Sequence, residues 1–439
     1  MNTTVISPEE FKKNWKAKFF TIFAGQSLSL FGSSLVQFAL VWYLTRQTGS
    51  ATILATATLV AMLPQIILGP FAGALVDRWN RRIVMMVADG AIAFATLGLA
   101  ALFLFGVVQI WHIYVVLLLR SLGGAFHWPA MSASTSLMVP KEQLARVAGL
   151  QQTLQGLVSI IAPPAGALLL GILPTQGVLM IDVITALTAI VPLFFISIPQ
   201  PVKQQTGKGS IPQTSYWQDL REGLRYVAGW PGLMAILFMA TFINFLLTPM
   251  GALMPLLVTK YFKLGAFELG LTDSLFGVGM IAGGLFLSVW GGFRRRIATT
   301  LMGIMGLGLG VVTVGLAPSH LFWIALVGMA ITGIMSPITN GPLQAIMQAT
   351  VKPEMQGRVM SLTNSAATAM SPLSLALAGP LSDWIGIRTW YLFAGVTCLL
   401  MGLGAFLVPA IMNVENNQGK QIVDSEAQPV ATGATPAIE

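Results

Sequence analysis

Several ionisable side chains lie inside apolar stretches of this chain, where a charge is costly. Arg120 stands about nine residues into one stretch, hence about 14 Å deep, where an arginine costs about 2.5–3.5 kcal/mol unless a partner or water neutralises it. His127 follows on the same helical face, and an imidazole titrates near neutral pH. Asp89 and Asp273 lie in two other stretches. A group that serves proton coupling must take up and release a proton, and Asp89, Asp273 and His127 are our candidates for this role. The alternatives are a plain role at a helix end or interface for the two carboxyls and a packed donor role for His127. For Arg120, a purely structural ion pair is one possibility. For a further carboxyl, Asp182, we favour a plain role at a helix end or interface.

Polar residues recur every three or four positions in three apolar stretches, so each set shares one face of a helix. Such side chains can hydrogen-bond a ligand inside a cavity, or they can hydrogen-bond a neighbouring helix. We predict the first role for Gln26, Ser33, Gln37, Gln152, Gln155 and Asn244 of these stretches, together with Phe31, Phe38, Trp128, Phe245 and Asn340.

Signatures of enzymes are lacking. The stretch from Gly207 to Ser210 lacks the spacing of a phosphate-binding loop, and the sequence shows no zinc, serine-triad or dinucleotide pattern. The single cysteine, Cys398, excludes an intrachain disulfide and a cysteine metal cluster. We therefore predict no enzymatic activity, no metal site and no cofactor.

Long apolar segments must position these residues. Of 439 residues, 55% are hydrophobic and only 9% are charged, whereas soluble domains average about 25% charged. A soluble protein is thereby excluded, and an all-α integral membrane protein is predicted. Twelve stretches are long enough to span a bilayer, over 18–44, 51–76, 83–106, 111–137, 147–172, 177–198, 232–258, 267–291, 297–316, 320–345, 358–381 and 387–411.

Basic residues indicate how these spans are oriented. With both termini in the cytoplasm, 19 of the 24 Lys and Arg residues lie on the cytoplasmic side, four lie outside and Arg120 lies within the membrane. Such a bias is typical of cytoplasmic loops. It also assigns the net charge of +8 to contact with anionic lipid rather than with nucleic acid.

A repeat divides the chain into two similar halves. VPKEQLARVAGL after the fourth span matches VKPEMQGRVMSL after the tenth, and each matching pair, such as Arg146 and Arg358, is 212 residues apart. A duplicated six-helix unit would enclose a cavity near the membrane midplane. We predict a cytoplasmic N-terminus (1–17), a first half (18–198), a cytoplasmic linker with an interfacial helix (199–230), a second half (231–411) and a disordered cytoplasmic tail (412–439).

The loop between the second and third spans reads GPFAGALVDRWNRR, which resembles the signature loop of the major facilitator superfamily. The resemblance implies twelve helices in two pseudo-symmetric six-helix halves. It also implies a latch in which Asp77 meets the positive N-terminal end of the eleventh span and closes the cytoplasmic side. An ordinary positively charged loop would explain the arginines alone. The implied latch residues are Gly69, Gly73, Asp77, Arg78, Arg81, Arg82 and Arg358.

Two further segments indicate which branch of the superfamily the chain resembles. Arg120 matches an arginine that this superfamily associates with proton coupling, although Gly123 replaces the glutamine expected three residues later. The fifth span carries a degraded form of the motif that marks the antiporters of this superfamily, at Gly156, Pro163, Pro164 and Gly166. With NWKAKFFTIFAGQSLSLFGSSLVQFALVWYLT, LLLRSLGGAFHWPA and MVPKEQLARVAGLQQTLQ, the chain is similar to the bacterial macrolide-efflux branch of its drug:proton antiporters.

This resemblance implies a transporter in the bacterial cytoplasmic membrane that exports macrolide-like antibiotics, or other hydrophobic or amphipathic compounds, by proton antiport with alternating access. Export of lysophospholipids or other lipids, and of siderophores or other metabolites, are the alternatives on the same fold. A membrane sensor without transport is a third possibility, but the sequence has no large signalling domain. We expect a monomer that contacts membrane lipid and its substrate, with an ATP-driving partner subunit left as an open alternative.

Overall fold

The computed structural model describes residues 15–76, 78–199, 216–351 and 353–415. Within these ranges, twelve helices have 20 residues or more. They are α1 (Trp15–Thr48), α2 (Ala51–Val76), α3 (Arg81–Leu104), α4 (Ile110–Met138), α5 (Leu144–Ile172), α6 (Thr175–Phe195), α7 (Pro231–Leu256), α8 (Ala266–Trp290), α9 (Arg296–Leu316), α10 (Phe322–Thr350), α11 (Pro353–Ile385) and α12 (Ile387–Phe406).

Each predicted span corresponds to one of these helices. Eleven of the helices in the described ranges are long and apolar enough to cross a membrane. The exception is α11, which at 33 residues is long enough but is more polar in composition. The predicted twelfth span is too long by five residues, because α12 ends at Phe406 and a short helical turn, Pro409–Met412, follows it.

Short connections turn the chain between neighbouring helices. Asn80 caps α3, because its side chain accepts hydrogen bonds from the backbone N–H groups of Arg82 and Ile83. Glu268 closes the start of α8 by accepting a hydrogen bond from the N–H of Gly265 at 2.9 Å. Gly386, with φ of 91°, makes the sharp turn from α11 into α12.

Two six-helix halves result from this arrangement. In the first half, α6 packs against α1 and α3, while α4 packs against α2 and α3. In the second half, α10 packs against α8 and α9, α12 against α9, and α11 against α7. The halves meet chiefly along two crossings, α2 against α11 and α5 against α8.

The linker helix, Tyr216–Ala228, joins the halves. It lies against the start of α11, where Glu222 pairs with Arg358 at 2.7 Å. Gly223 makes this contact possible, since a Cβ there would lie 3.1 Å from the Arg358 carbonyl oxygen. Leu224 is exposed and Val227 is buried. The structure does not describe segments 1–14, 200–215 and 416–439. Most of the tail that we predict to be disordered lies in the last of these segments.

Candidate functional site

An ion pair lies in the interior of the first half. Arg120 on α4 contacts Asp182 on α6 at 2.5 Å, and the two side chains are 10% and 1% exposed. Thr96 of α3 accepts a second hydrogen bond from Arg120 at 2.7 Å. Ser33 of α1 donates to Asp182 at 3.0 Å. The role that we expected for Asp182, at a helix end or interface, is wrong, because the carboxylate is fully buried and neutralises Arg120.

A second carboxylate cluster lies on the same side of α4. The His127 Nε2 lies 3.3 Å from Asp89 Oδ1 of α3 and 3.0 Å from Gln26 Oε1 of α1. The Gln26 amide donates to the other oxygen of Asp89 at 3.0 Å. The structure therefore brings three of the predicted proton-coupling residues, Arg120, His127 and Asp89, into one half, each with a partner.

These clusters border a cavity of about 760 Å³ in the first half. Its wall includes Gln26, Asp89, Arg120 and His127, so both clusters reach the open space. Five predicted cavity residues lie in this wall: Gln26, Ser33, Gln37, Trp128 and Gln155.

A second cavity, of about 480 Å³, lies in the other half between α7, α8, α9 and α10. Two predicted cavity residues, Asn244 and Asn340, line it, and so does Asp273, the fourth predicted coupling residue. The structure thus separates Asp273 from the other three. The rest of the wall is mostly apolar, with residues such as Ile243 and Leu301.

The remaining predicted cavity residues correct our expectation, since within the described chain they line neither cavity. Phe38 is 7% exposed and packs against Gly166, where a Cβ would lie 3.0 Å from its ring. Phe31 packs in an apolar cluster of α1, α5 and α6. Phe245 stacks on Phe242 with ring centroids 5.9 Å apart. Gln152 is exposed on α5.

One end of the molecule is held closed by contacts between the halves, and we call it the clasped face. Asp383, near the end of α11, accepts four hydrogen bonds at the start of α2. The donors are the backbone N–H groups of Ala51 at 2.8 Å and Thr52 at 2.9 Å, and the hydroxyls of Ser50 at 2.9 Å and Thr52 at 2.8 Å. The carboxylate therefore meets the positive N-terminal end of α2. One turn earlier, Gly379 lets α11 approach α2, since a Cβ there would lie 3.0 Å from Thr52 Cα.

The crossing of α5 and α8 closes the same face. Pro164 has no N–H, so the carbonyl of Ile160, four residues earlier, lacks its helical donor. Ser274 of α8 donates to that carbonyl at 2.7 Å. Gly270 permits the approach, because a Cβ there would lie 2.8 Å from Pro164 Cα. The antiporter-motif residues Pro163 and Pro164 are thus placed at the contact between the halves.

The opposite end, which we call the open face, is separated. A Cβ added at Gly69 or Gly73 of α2, or at Gly156 of α5, would meet no atom of the described structure within 4 Å. The same holds for Gly284 of α8 and Gly357 of α11. Gly69 and Gly73, which the resemblance assigns to the latch, therefore make no close contact with a described helix on the Cβ side in this conformation.

The predicted latch residues that the structure describes lie at the open face. Asp77 is outside the described residues, and Arg78 is exposed. Arg81 is buried and donates to the carbonyl of Ala133 at 2.9 Å, while Arg82 donates to the carbonyl of Phe194 at 2.7 Å. Both arginines therefore hold the first half together. Arg358 pairs with the linker helix, as described above.

The sequence matches a family model and is similar to known efflux proteins. The sequence model of the Major Facilitator Superfamily matches residues 22–371 and 237–434. Macrolide efflux protein A of Streptococcus pyogenes is 35% identical over 405 residues, which cover 92% of this chain and 98% of that protein. Multidrug efflux pump Tap of Mycolicibacterium fortuitum is 28% identical over 397 residues, covering 88% and 94%.

A similar fold occurs among solved structures. A bacterial homolog of the human lysosomal transporter Spinster, crystallised in an inward-facing and unoccupied conformation, superposes with a TM-score of 0.69. It is 12% identical and covers 92% of this chain and 98% of its own. A POT family transporter in complex with a thioalcohol-conjugated peptide superposes with a TM-score of 0.69 at 11% identity, covering 88% and 95%. At these identities the likeness is one of fold.

Proposed function

The chain belongs to the major facilitator superfamily, and from this membership and the two cavities we propose that it exports hydrophobic or amphipathic compounds in exchange for protons. Macrolide-like antibiotics are the proposed substrates. Relatives named for macrolide efflux and for multidrug efflux, each matching most of this chain, support this proposal. The chain is a multi-pass membrane transporter.

The membrane orientation is proposed from the basic residues. Of the 24 Lys and Arg residues, 19 belong to the termini and to the loops at the open face. Cytoplasmic loops carry such an excess. We place the open face and both termini in the bacterial cytoplasm, so that the described conformation admits substrate from inside.

Alternating access is proposed from the two faces. In the described state, Asp383 joins the halves at the clasped face while the glycines of α2 stand free at the open face. In the opposite state, Asp77 would meet the start of α11 and Gly69 and Gly73 would pack closely. The two carboxylates would then act on opposite faces, each at the N-terminal end of a helix in the other half.

Proton coupling is proposed for the ionisable residues of the cavities. Four of these residues line a cavity: Asp89, Arg120, His127 and Asp273. The fifth, Asp182, pairs with Arg120. A hundredfold outward gradient of a neutral drug costs about 2.7 kcal/mol, while one proton crossing 100 mV and one pH unit returns about 3.7 kcal/mol. One proton per cycle is therefore enough, and the proposed transporter acts as a monomer with H⁺ as coupling ion and no cofactor.

The observation that carries this proposal is the full-length similarity to macrolide efflux protein A. The test measures retention of a labelled 14-membered macrolide in expressing cells, with and without a protonophore. We expect expressing cells to retain less drug than vector controls, and we expect the protonophore and Arg120→Ala each to abolish that difference. Equal retention in expressing and control cells, for macrolides and other drugs alike, would contradict drug export and direct the search to lipids or siderophores.

A further inference from the structure

Three carboxylates, Asp89, Asp182 and Asp273, lie more than one turn inside their membrane helices, and two of them have basic partners. Asp182 pairs with Arg120, and Asp89 lies beside His127. Asp273 differs, since it makes no hydrogen bond or ion pair with any residue in the described parts of the chain. A carboxylate in such a position is costly unless a proton or a cation neutralises it.

The cavity beside Asp273 is built to hold an apolar body. Of about 480 Å³, it is walled largely by aliphatic and methionine side chains of α7, α9 and α10, and Asp273 is the one charged residue among those that line it. Ligand pockets of this size, with few polar groups among many apolar ones, are typical of small-molecule sites.

The polar groups of this wall keep hydrogen-bonding capacity for a ligand. The side-chain amides of Asn244 and Asn340 each donate one N–H to a carbonyl of their own helix, at 2.9 Å and 3.0 Å. The amide oxygen and the second N–H of each remain available. Thr332 and Thr339 donate to carbonyls of their own helix, at 2.8 Å and 2.9 Å, and can still accept. A ligand with hydroxyl groups, which both donate and accept, therefore finds partners here.

A buried hydroxyl without a hydrogen-bond partner belongs to the same wall. Thr300 of α9 is 3% exposed, and its hydroxyl has no hydrogen-bond partner in the described structure. A buried hydroxyl without a partner costs about 1–3 kcal/mol. Thr300 belongs to the wall of the cavity that holds Asp273, and its hydroxyl would reach a polar occupant if the side chain turned toward the cavity.

We propose that this cavity binds amphipathic amines, with Asp273 as the counter-ion of their protonated nitrogen. An apolar body fills the space between α7 and α10, the ammonium N–H lies at Asp273, and hydroxyls of the ligand reach the Asn oxygens. This inference rests on the proposed export function and specifies its substrate class: lipophilic compounds with a basic nitrogen, in preference to neutral ones of the same shape.

The test uses the full-length protein in lipid nanodiscs and two matched compounds. One is a labelled 14-membered macrolide with a dimethylamino sugar, and the other is its neutral analogue, in which that nitrogen is demethylated and acetylated. We expect the wild-type protein to bind the amine about 10- to 100-fold more tightly, the range for hydrogen bonds to a charged group. Asp273→Asn should lose this preference while still binding the neutral analogue, and Asp273→Glu should retain part of it.

The matched control is Glu268→Gln. It makes the same change of acid to amide on the same helix, but Glu268 caps Gly265 and does not line the cavity. We expect it to keep the preference for the amine. The inference is wrong if the wild type does not discriminate, if Asp273→Asn still prefers the amine, or if it loses both compounds equally. Failure of the wild type to bind either compound would overturn the export proposal and this inference together.

Discussion

Removal of the Asp383 charge should shift the protein toward the state that opens at the clasped face. In the described conformation the carboxylate accepts four hydrogen bonds from the start of α2, at 2.8–2.9 Å. A hydrogen bond to a charged group contributes about 1.5–3 kcal/mol, and a carboxylate at a helix N-terminus about 0.3–1 kcal/mol. Asp383 is exposed, and an asparagine still accepts at one oxygen, so we take the net loss in Asp383→Asn as about 1–2 kcal/mol.

That loss corresponds to a change of about 5- to 30-fold in the ratio of the two conformations. If the wild type holds about 5% of the alternative state, the variant should hold about 20–60%. The halves would then close at the open face, because the two faces alternate in the proposed cycle. Transport need not stop, but its rate-limiting conformational step should change.

Distances between nitroxide labels measure this equilibrium. Ala148 on α5 and Val289 on α8 are exposed at the open face, and cysteines there can be labelled in a Cys398→Ala background. Pulsed dipolar spectroscopy should show a long distance in the wild type and an added short distance in Asp383→Asn.

Two control variants are measured in the same way. Glu268→Gln removes a carboxylate that caps its own helix and should leave the distances unchanged. Asp77→Asn removes the proposed latch and should favour the long distance. Distances in Asp383→Asn that match those of the wild type would refute the clasp.

Three further substitutions test neighbouring contacts. Asp182→Asn leaves Arg120 buried without its counter-ion and should cost about 3–5 kcal/mol of stability. Thermal unfolding of the purified protein would show this loss as a lower Tm. The double variant with Arg120→Ala should recover much of the lost stability. Ser274→Ala removes the donor to a carbonyl freed by proline, at a cost of about 1–3 kcal/mol, and should add the short open-face distance between the labels. Gly270→Ala places a methyl group 2.8 Å from backbone and should abolish efflux, whereas Gly284→Ala, where no described atom lies within 4 Å, should not.

The fold was predictable from the sequence because the bilayer sets the length of each helix. A hydrocarbon core about 30 Å thick needs about 20 apolar residues, so twelve apolar stretches mark twelve helices. Polar α11 was found as well, because its boundaries are set by charges and prolines. The ends were less certain, as α12 shows, since an apolar composition continues past Phe406 into a short turn.

Partners across the bundle were not predictable. Arg120 and Asp182 are 62 residues apart, and Ser50 and Asp383 are 333 apart, so their pairing depends on how α4 meets α6 and α2 meets α11. No periodicity in one helix carries that information. Asp383 did have a local signal, since it stands at the end of an apolar stretch just before the turn at Gly386.

The predicted phenylalanines failed for a geometric reason. Successive residues on a helix are turned by about 100° from each other, so the neighbour of a cavity residue can face another helix instead. Gln37 lines the first-half cavity, whereas Phe38 packs against Gly166. Asn244 and Phe245 divide in the same way. Adjacency to a cavity residue alone therefore does not predict the wall, since Ser33 and Ser34 both line the first-half cavity.

Within the described structure, a carbonyl freed by proline accepts a hydrogen bond from another helix at two crossings, and one of these crossings joins the halves. Pro249 frees the carbonyl of Phe245 on α7, which accepts a hydrogen bond from Ser374 of α11. Both helices belong to the second half, so this contact can persist throughout a transport cycle.

Ser274 satisfies the carbonyl of Ile160 from the other half. Opening of the clasped face would therefore break this bond and leave the carbonyl freed by Pro164 to find water or another donor. Ser274 also lies 3.0 Å from the carbonyl of Gly270 on its own helix, so its hydroxyl has a partner in either state. On opening, the unsatisfied group is therefore the Ile160 carbonyl of α5, in the segment that resembles the antiporter motif. Pro164 thereby affects the free-energy difference between the two conformations.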